Sequence, residues 1–98
     1  NEASMPGSYS LLQNYPNPFN PTTTLRYDLP ENSHVTITIY DMLGRKVRTL
    51  INETQDAGYQ SIIWDATGNN GERASAGIYL YQIQAREYMQ TKKMVLLK

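Results

Sequence analysis

Apolar residues along this chain recur at every second position far more often than at every third or fourth. In His34-Val35-Thr36-Ile37-Thr38-Ile39-Tyr40, Val35, Ile37 and Ile39 fall on one side of an extended backbone and Thr36, Thr38 and Tyr40 on the other, because successive strand side chains point to opposite faces. One of those faces should meet a core. The run Arg45 to Glu53 follows after Asp41-Met42-Leu43-Gly44, whose glycine can take the positive φ that ends a tight hairpin loop. These two strands should pair antiparallel. Further strands are predicted at Ser10 to Gln13, Thr22 to Leu29, Tyr59 to Asp65, Ile78 to Arg86 and Met89 to Leu97.

Turn residues separate these runs: Pro30-Glu31-Asn32-Ser33, Asp56-Ala57-Gly58, and Thr67-Gly68-Asn69-Asn70-Gly71 before Ala76-Gly77. No stretch carries a helical stripe. The pattern predicts an all-β protein, an immunoglobulin-like or fibronectin-III-like sandwich of about seven antiparallel strands, although the paired cysteines and strand-C tryptophan of true immunoglobulin domains are missing. Trp64 is expected to plug the core from a late strand. The segment Asn14-Tyr15-Pro16-Asn17-Pro18-Phe19-Asn20-Pro21 cannot be a central strand, since its prolines fix φ and remove donors. It reads as a rigid crossing between the sheets, with Tyr15 and Phe19 as apolar pegs and the Asn side chains bonding backbone that proline leaves unpaired.

Composition narrows the function. A chain of 98 residues is one domain plus a short leader. Nine basic side chains balance nine acidic ones, so no net field favours nucleic acid, anionic membrane or acidic substrate. The absence of cysteine removes disulfides, thiolate metal sites and thiol nucleophiles, and leaves the redox compartment open. No apolar stretch approaches the ~20 residues that span a bilayer as a helix. The opening Asn1-Glu2-Ala3-Ser4-Met5-Pro6-Gly7-Ser8 lacks the basic and apolar regions of a signal peptide. It reads as a linker from a preceding domain, so that residues 1–9 join cargo to a folded unit at 10–98.

Candidate chemistry is sparse. His34 is the one histidine, with no second histidine or cysteine to complete a triad or zinc site, and reads as a solvated turn residue. The acidic turn Asp65-Ala66-Thr67-Gly68-Asn69-Asn70-Gly71-Glu72 lacks the alternating oxygen spacing of an EF-hand, so an ordinary Asn-Gly turn is the better reading. Asn52-Glu53-Thr54 matches a glycosylation sequon, a pattern short enough to arise by chance. The tyrosines offer a platform for sugar on one reading, yet Tyr79 and Tyr81 alternate with Ile83 as core residues do. No catalytic residue, cofactor or metal is expected.

The run Leu11-Leu12-Gln13-Asn14-Tyr15-Pro16-Asn17-Pro18-Phe19-Asn20-Pro21-Thr22-Thr23 resembles the opening of the C-terminal sorting domains of the type IX (Por) secretion system. The likeness continues in register through Val35 to Val47 with Gly44, then Gly58, Ile62 and Trp64-Asp65, then Gly71 and Ala76-Gly77-Ile78-Tyr79. It closes on Thr91-Lys92-Lys93-Met94-Val95-Leu96-Leu97-Lys98, similar to the family's terminal basic and apolar strand. Ala66 stands where many members carry glycine after the Trp-Asp pair. The resemblance implies a type A export signal on a cargo of unknown activity, found in Bacteroidetes and related phyla. It further implies folding in the periplasm, recognition by an outer-membrane translocon and a β-barrel shuttle protein, and removal by a sortase-like surface peptidase, so that the cargo ends at the cell surface or outside. On this reading Lys92, Lys93, Met94, Val95, Leu96, Leu97 and Lys98 are candidates for translocon recognition. Glu2, Ala3, Ser4, Met5, Pro6, Gly7 and Ser8 form the candidate cleavage linker, and Pro16, Asn17, Pro18, Phe19, Asn20, Pro21, Gly44, Gly58, Trp64, Gly77 and Tyr79 the structural signature.

The same sandwich resembles the immunoglobulin-like domain of the flagellar hook-capping protein, which shares the Gly, Trp-Asp and Gly-x-Tyr pattern. The proline-rich opening and the Lys-Lys strand at the end of the chain favour sorting. A carbohydrate-binding or adhesive module of an extracellular enzyme is the alternative, and would need an exposed planar row of aromatics. On the terminal strand Met94 and Leu96 point one way and Val95 and Leu97 the other, and an edge strand buries only one such pair well. The exposed pair, beside the lysines, should dock to a partner by strand addition through unpaired backbone.

Overall fold

A computed structural model describing residues 5–97 places seven strands along the chain: β1 (Ser10–Leu11), β2 (Thr23–Leu29), β3 (Ser33–Asp41), β4 (Lys46–Gln55), β5 (Gly58–Trp64), β6 (Gly77–Ala85) and β7 (Tyr88–Leu96). They form a three-stranded sheet in the order β1-β2-β5 and a four-stranded sheet in the order β4-β3-β6-β7. Every neighbour in the two sheets is antiparallel. The chain is therefore the all-β sandwich its alternation predicts, with each sheet hiding one face against the other.

Burial follows the period of two. Val35, Ile37 and Ile39 of β3 are fully buried, as are Leu25, Tyr27 and Leu29 of β2 and Tyr81, Ile83 and Ala85 of β6. Trp64 closes β5 as a buried plug. β4 departs from alternation: Leu50 and Ile51, adjacent in the chain, both pack against the core. Its pairing with β3 shifts register between Ile37 and Thr38 and again between Ile39 and Tyr40. A bulge inserts one extra residue, so the face a side chain occupies changes at that point.

Three expectations are corrected. The predicted strand Ser10 to Gln13 ends at Leu11, because the backbone N–H of Asn14 leaves the sheet to reach the Tyr81 hydroxyl at 2.8 Å. Tyr15 is no apolar peg: it is 73% exposed, its backbone bonded to Thr24 in both directions while its ring points outward. Tyr9, assigned to the linker side, stacks on Tyr88 with ring centroids 5.5 Å apart and bonds the Ser33 hydroxyl at 2.8 Å.

Candidate functional site

The proline-rich segment and the terminal strand, far apart in sequence, meet along one edge. Pro16, Pro18 and Pro21 have no N–H to offer, so the segment's bonds fall to the residues between. The Phe19 N–H donates to the Val95 carbonyl at 3.0 Å, and the Phe19 carbonyl accepts the Leu97 N–H at 2.8 Å. This is a short parallel bridge onto β7. The Asn17 Oδ1 accepts the Val95 N–H at 2.9 Å, and the Gln13 Nε2 donates to the Lys93 carbonyl at 2.7 Å. Docking by strand addition at this end is therefore corrected: the outward backbone groups of Val95 that it requires are already bonded to the chain's own opening.

Asn14 fixes the other end of the crossing. Its buried amide donates to the Thr23 hydroxyl at 2.9 Å, and that hydroxyl donates to the Pro16 carbonyl at 2.8 Å. The Asn14 N–H donates to the Tyr81 hydroxyl, which in turn donates to the Leu12 carbonyl at 2.8 Å. Burial pushes the Tyr81 phenol up to about 12, against the opposing pull of the Asn14 hydrogen bond. The expected bonding of Asn side chains to backbone beside the prolines is carried by Asn14, whose Nδ2 also donates to the Pro16 carbonyl at 3.3 Å, whereas Asn17 bonds the backbone of β7.

Phe19 is the one peg of the segment, 1% exposed. Its ring lies 5.8 Å from Trp64, and Trp64 meets Tyr79 edge-on at 5.6 Å, a tilted geometry aromatic quadrupoles favour. The Trp64 indole N–H reaches the Thr67 carbonyl at 2.9 Å and the Tyr79 hydroxyl the Ser75 carbonyl at 2.6 Å, so neither polar tip is buried unpaired. Among the signature glycines, Gly44 closes the β3–β4 turn at φ +83°. Gly58 and Gly77 open β5 and β6. Ala66 is buried with φ +67°, a left-handed conformation that suits glycine better than alanine, which gives a physical reason for the glycine of similar sequences.

The candidate recognition residues divide by face. Met94 and Leu96 are buried, Lys92 and Val95 half-buried, Lys93 exposed and Leu97 50% exposed; Lys98 lies outside the described residues. Two neighbours of these candidates were not singled out by sequence reasoning. Ile78 pairs with Val95 and Leu80 with Lys93 across β6–β7, so they share the outer face. Their parity, opposite to that of Tyr79 and Tyr81, was the available signal. In the cleavage linker, Glu2, Ala3 and Ser4 lie outside the described residues, Met5, Gly7 and Ser8 are exposed, and Pro6 is buried. His34 is exposed on β3, its Nε2 2.6 Å from the Asn52 Oδ1 of the sequon. In the acidic turn, the Asp65 and Asn70 side chains accept bonds from Thr67 and Glu72 of the same loop.

The family described as the FlgD Ig-like domain matches residues 19–88. Among solved structures, the chain is similar to dimeric latent PorU of Porphyromonas gingivalis, with a TM-score of 0.75 and 24% identity over 94% of this chain and 9% of that one. It is similar to PorZ, an essential surface component of the type IX secretion system of the same organism, with a TM-score of 0.58 and 19% identity over 98% of this chain and 12% of that one. FlgD from P. aeruginosa aligns with a TM-score of 0.61 and 25% identity over 93% of this chain and 67% of that one. No curated protein matches the sequence. The PorU and PorZ likenesses show the fold, and the chain spans a small part of either protein.

Proposed function

The chain belongs to the FlgD Ig-like domain family, and from that premise we propose that it is a non-catalytic C-terminal secretion signal, directing an attached cargo across the bacterial outer membrane by the type IX secretion system. One observation carries the reading. Of the runs that resemble sorting domains, Leu11 to Pro18 and Thr91 to Lys98 lie outside the matched residues 19–88; Asn17 bonds Val95 directly, and Phe19, the first matched residue, bonds Val95 and Leu97. The family model accounts for the middle of the chain, and the two ends meet along one edge of the sandwich.

On this reading the translocon and its shuttle protein bind side chains, since the backbone of that edge is taken. Lys93, Val95 and Leu97, with Ile78 and Leu80 beside them, supply an apolar face with a cationic rim. The domain crosses the periplasm folded, and the surface peptidase cuts within Glu2 to Ser8. A sugar-binding role is less well supported. The exposed tyrosines Tyr15 and Tyr59 belong to different rows of the outer sheet, Tyr15 opposite Thr24 and Tyr59 opposite Asp28, so they do not form one planar platform. Fusing residues 1–98 to a periplasmic reporter tests the proposal: surface exposure should appear in a type IX-competent host and vanish when the translocon is deleted. Exposure that survives the deletion would overturn it.

A further inference from the structure

Four strands border the two sheets among the described residues, and three of their edges are closed to further pairing. β1 is two residues long. β7 carries Lys92 and Lys93, and its outward backbone from the Lys93 carbonyl onward is bonded by Gln13, Asn17 and Phe19. β4 carries Lys46, Arg48 and Glu53 and is interrupted by two register shifts. Charges and bulges of this kind are how sheet edges avoid pairing with other chains. β5 has none of them: over its seven residues there is no charge, no proline and no shift against β2. Its outer face exposes Tyr59 at 62% and Ile63 at 63%, with exposed Ser61 between them.

We propose that β5 pairs antiparallel with β5 of a second copy of this chain, joining two three-stranded sheets across a two-fold axis at Ser61. The sequence of the strand is self-complementary in that register. Tyr59 of each copy falls opposite Ile63 of the other, an aromatic and β-branched pair of the kind that stabilises antiparallel ladders, and the pair occurs twice by symmetry. Gln60 falls opposite Ile62, and Ser61 opposite itself. Within Gly58–Trp64 no charge meets its like across the join, and just beyond it Asp56 of each copy comes near Asp65 of the other, a repulsion that weakens the dimer further. Within the sheets the nearest repeated charge is Arg26, paired with Ser61 within each sheet, and three strand spacings put its two copies about 14 Å apart, beyond the screening length of about 8 Å at physiological ionic strength. Any displaced register loses both Tyr59–Ile63 pairs. The joined edge is about 23 Å long and buries less than the roughly 1,200 Å² of stable complexes, so the dimer is weak.

Sedimentation equilibrium of the 98-residue chain, from about 10 μM to about 1 mM, tests this. The average mass should rise from 11.2 kDa toward twice that value. Ser61→Lys sets two ammonium groups across the axis and should weaken the dimer at least tenfold while leaving the melting temperature unchanged, since Ser61 is exposed. Leu43→Lys, on the distant β3–β4 turn, should leave the dimer intact. A constant mass of 11.2 kDa, growth beyond the dimer, or a dimer indifferent to Ser61→Lys would each overturn the proposal.

Discussion

The Tyr81 hydroxyl holds two backbone groups, accepting from Asn14 and donating to Leu12, in a ring that is itself fully buried. Tyr81→Phe removes both partners and keeps the shape, so it should cost about 1–3 kcal/mol in urea unfolding, the penalty for leaving buried polar groups unpaired. The hydroxyl also sets an alkaline limit. Its folded pKa is raised to about 12, above an unfolded value of about 10. Its stabilising contribution is therefore complete below pH about 10 and is lost as pH climbs toward the folded value. Tyr81→Phe should flatten that part of the pH–stability curve, and an unchanged curve would mean the phenol is not the group that titrates. Ala66 and Ala85 are both buried, but Ala66 alone has positive φ. Glycine at 66 relieves about 1–2 kcal/mol of left-handed strain and forfeits about 0.8 kcal/mol of methyl burial. Ala66→Gly should shift the urea midpoint little, whereas Ala85→Gly should lower stability by about 1–2 kcal/mol through methyl loss and strand entropy.

At the scale of elements, β3 and β6 were legible because alternation runs through them unbroken and places Val35, Ile37, Ile39, Tyr79, Tyr81 and Ile83 inward. β4 was legible as a strand and illegible as a face, since its register shifts change parity without marking the sequence. The β6–β7 turn lacks the usual Asn-Gly signal: Arg86 takes φ +52° there, with its guanidinium held on the Asn32 carbonyl at 2.7 Å. For the candidate site, the split of the terminal strand into two faces followed from parity alone. The clasp on that strand did not, because Phe19 and Val95 are joined by backbone bonds across most of the chain length, and such pairing leaves no local pattern. The split predicts different failures. Met94→Ala with Leu96→Ala removes two buried side chains, each costing about 2–5 kcal/mol, and should abolish a stable fold. Val95→Ala with Leu97→Ala should leave the melting temperature nearly unchanged and trap a fused reporter in the periplasm. Equal losses of melting temperature in the two variants, or normal delivery by the second, would remove the case for a recognition face on β7.

At the scale of the whole molecule, two sheets of an Ig-like sandwich are tied shut by a crossing that starts beside β1, plugs the core with Phe19 and ends on the edge of β7. The tie means that the opening and closing segments are in place only when the domain is folded, so a receptor that reads both reads a folded body. The family's sandwich is shared with FlgD, so on the proposed reading the specificity of the signal rests on the side chains of those segments and not on the fold. The measurement that bears most directly on this is the protease-accessible fraction of one reporter on intact type IX-competent cells, fused either to residues 1–98 or to the FlgD Ig-like domain. The reporter should reach the surface with the first fusion and remain in the periplasm with the second. Equal surface exposure of both fusions would mean that the sandwich alone suffices, and would contradict the assignment of the signal to its two ends.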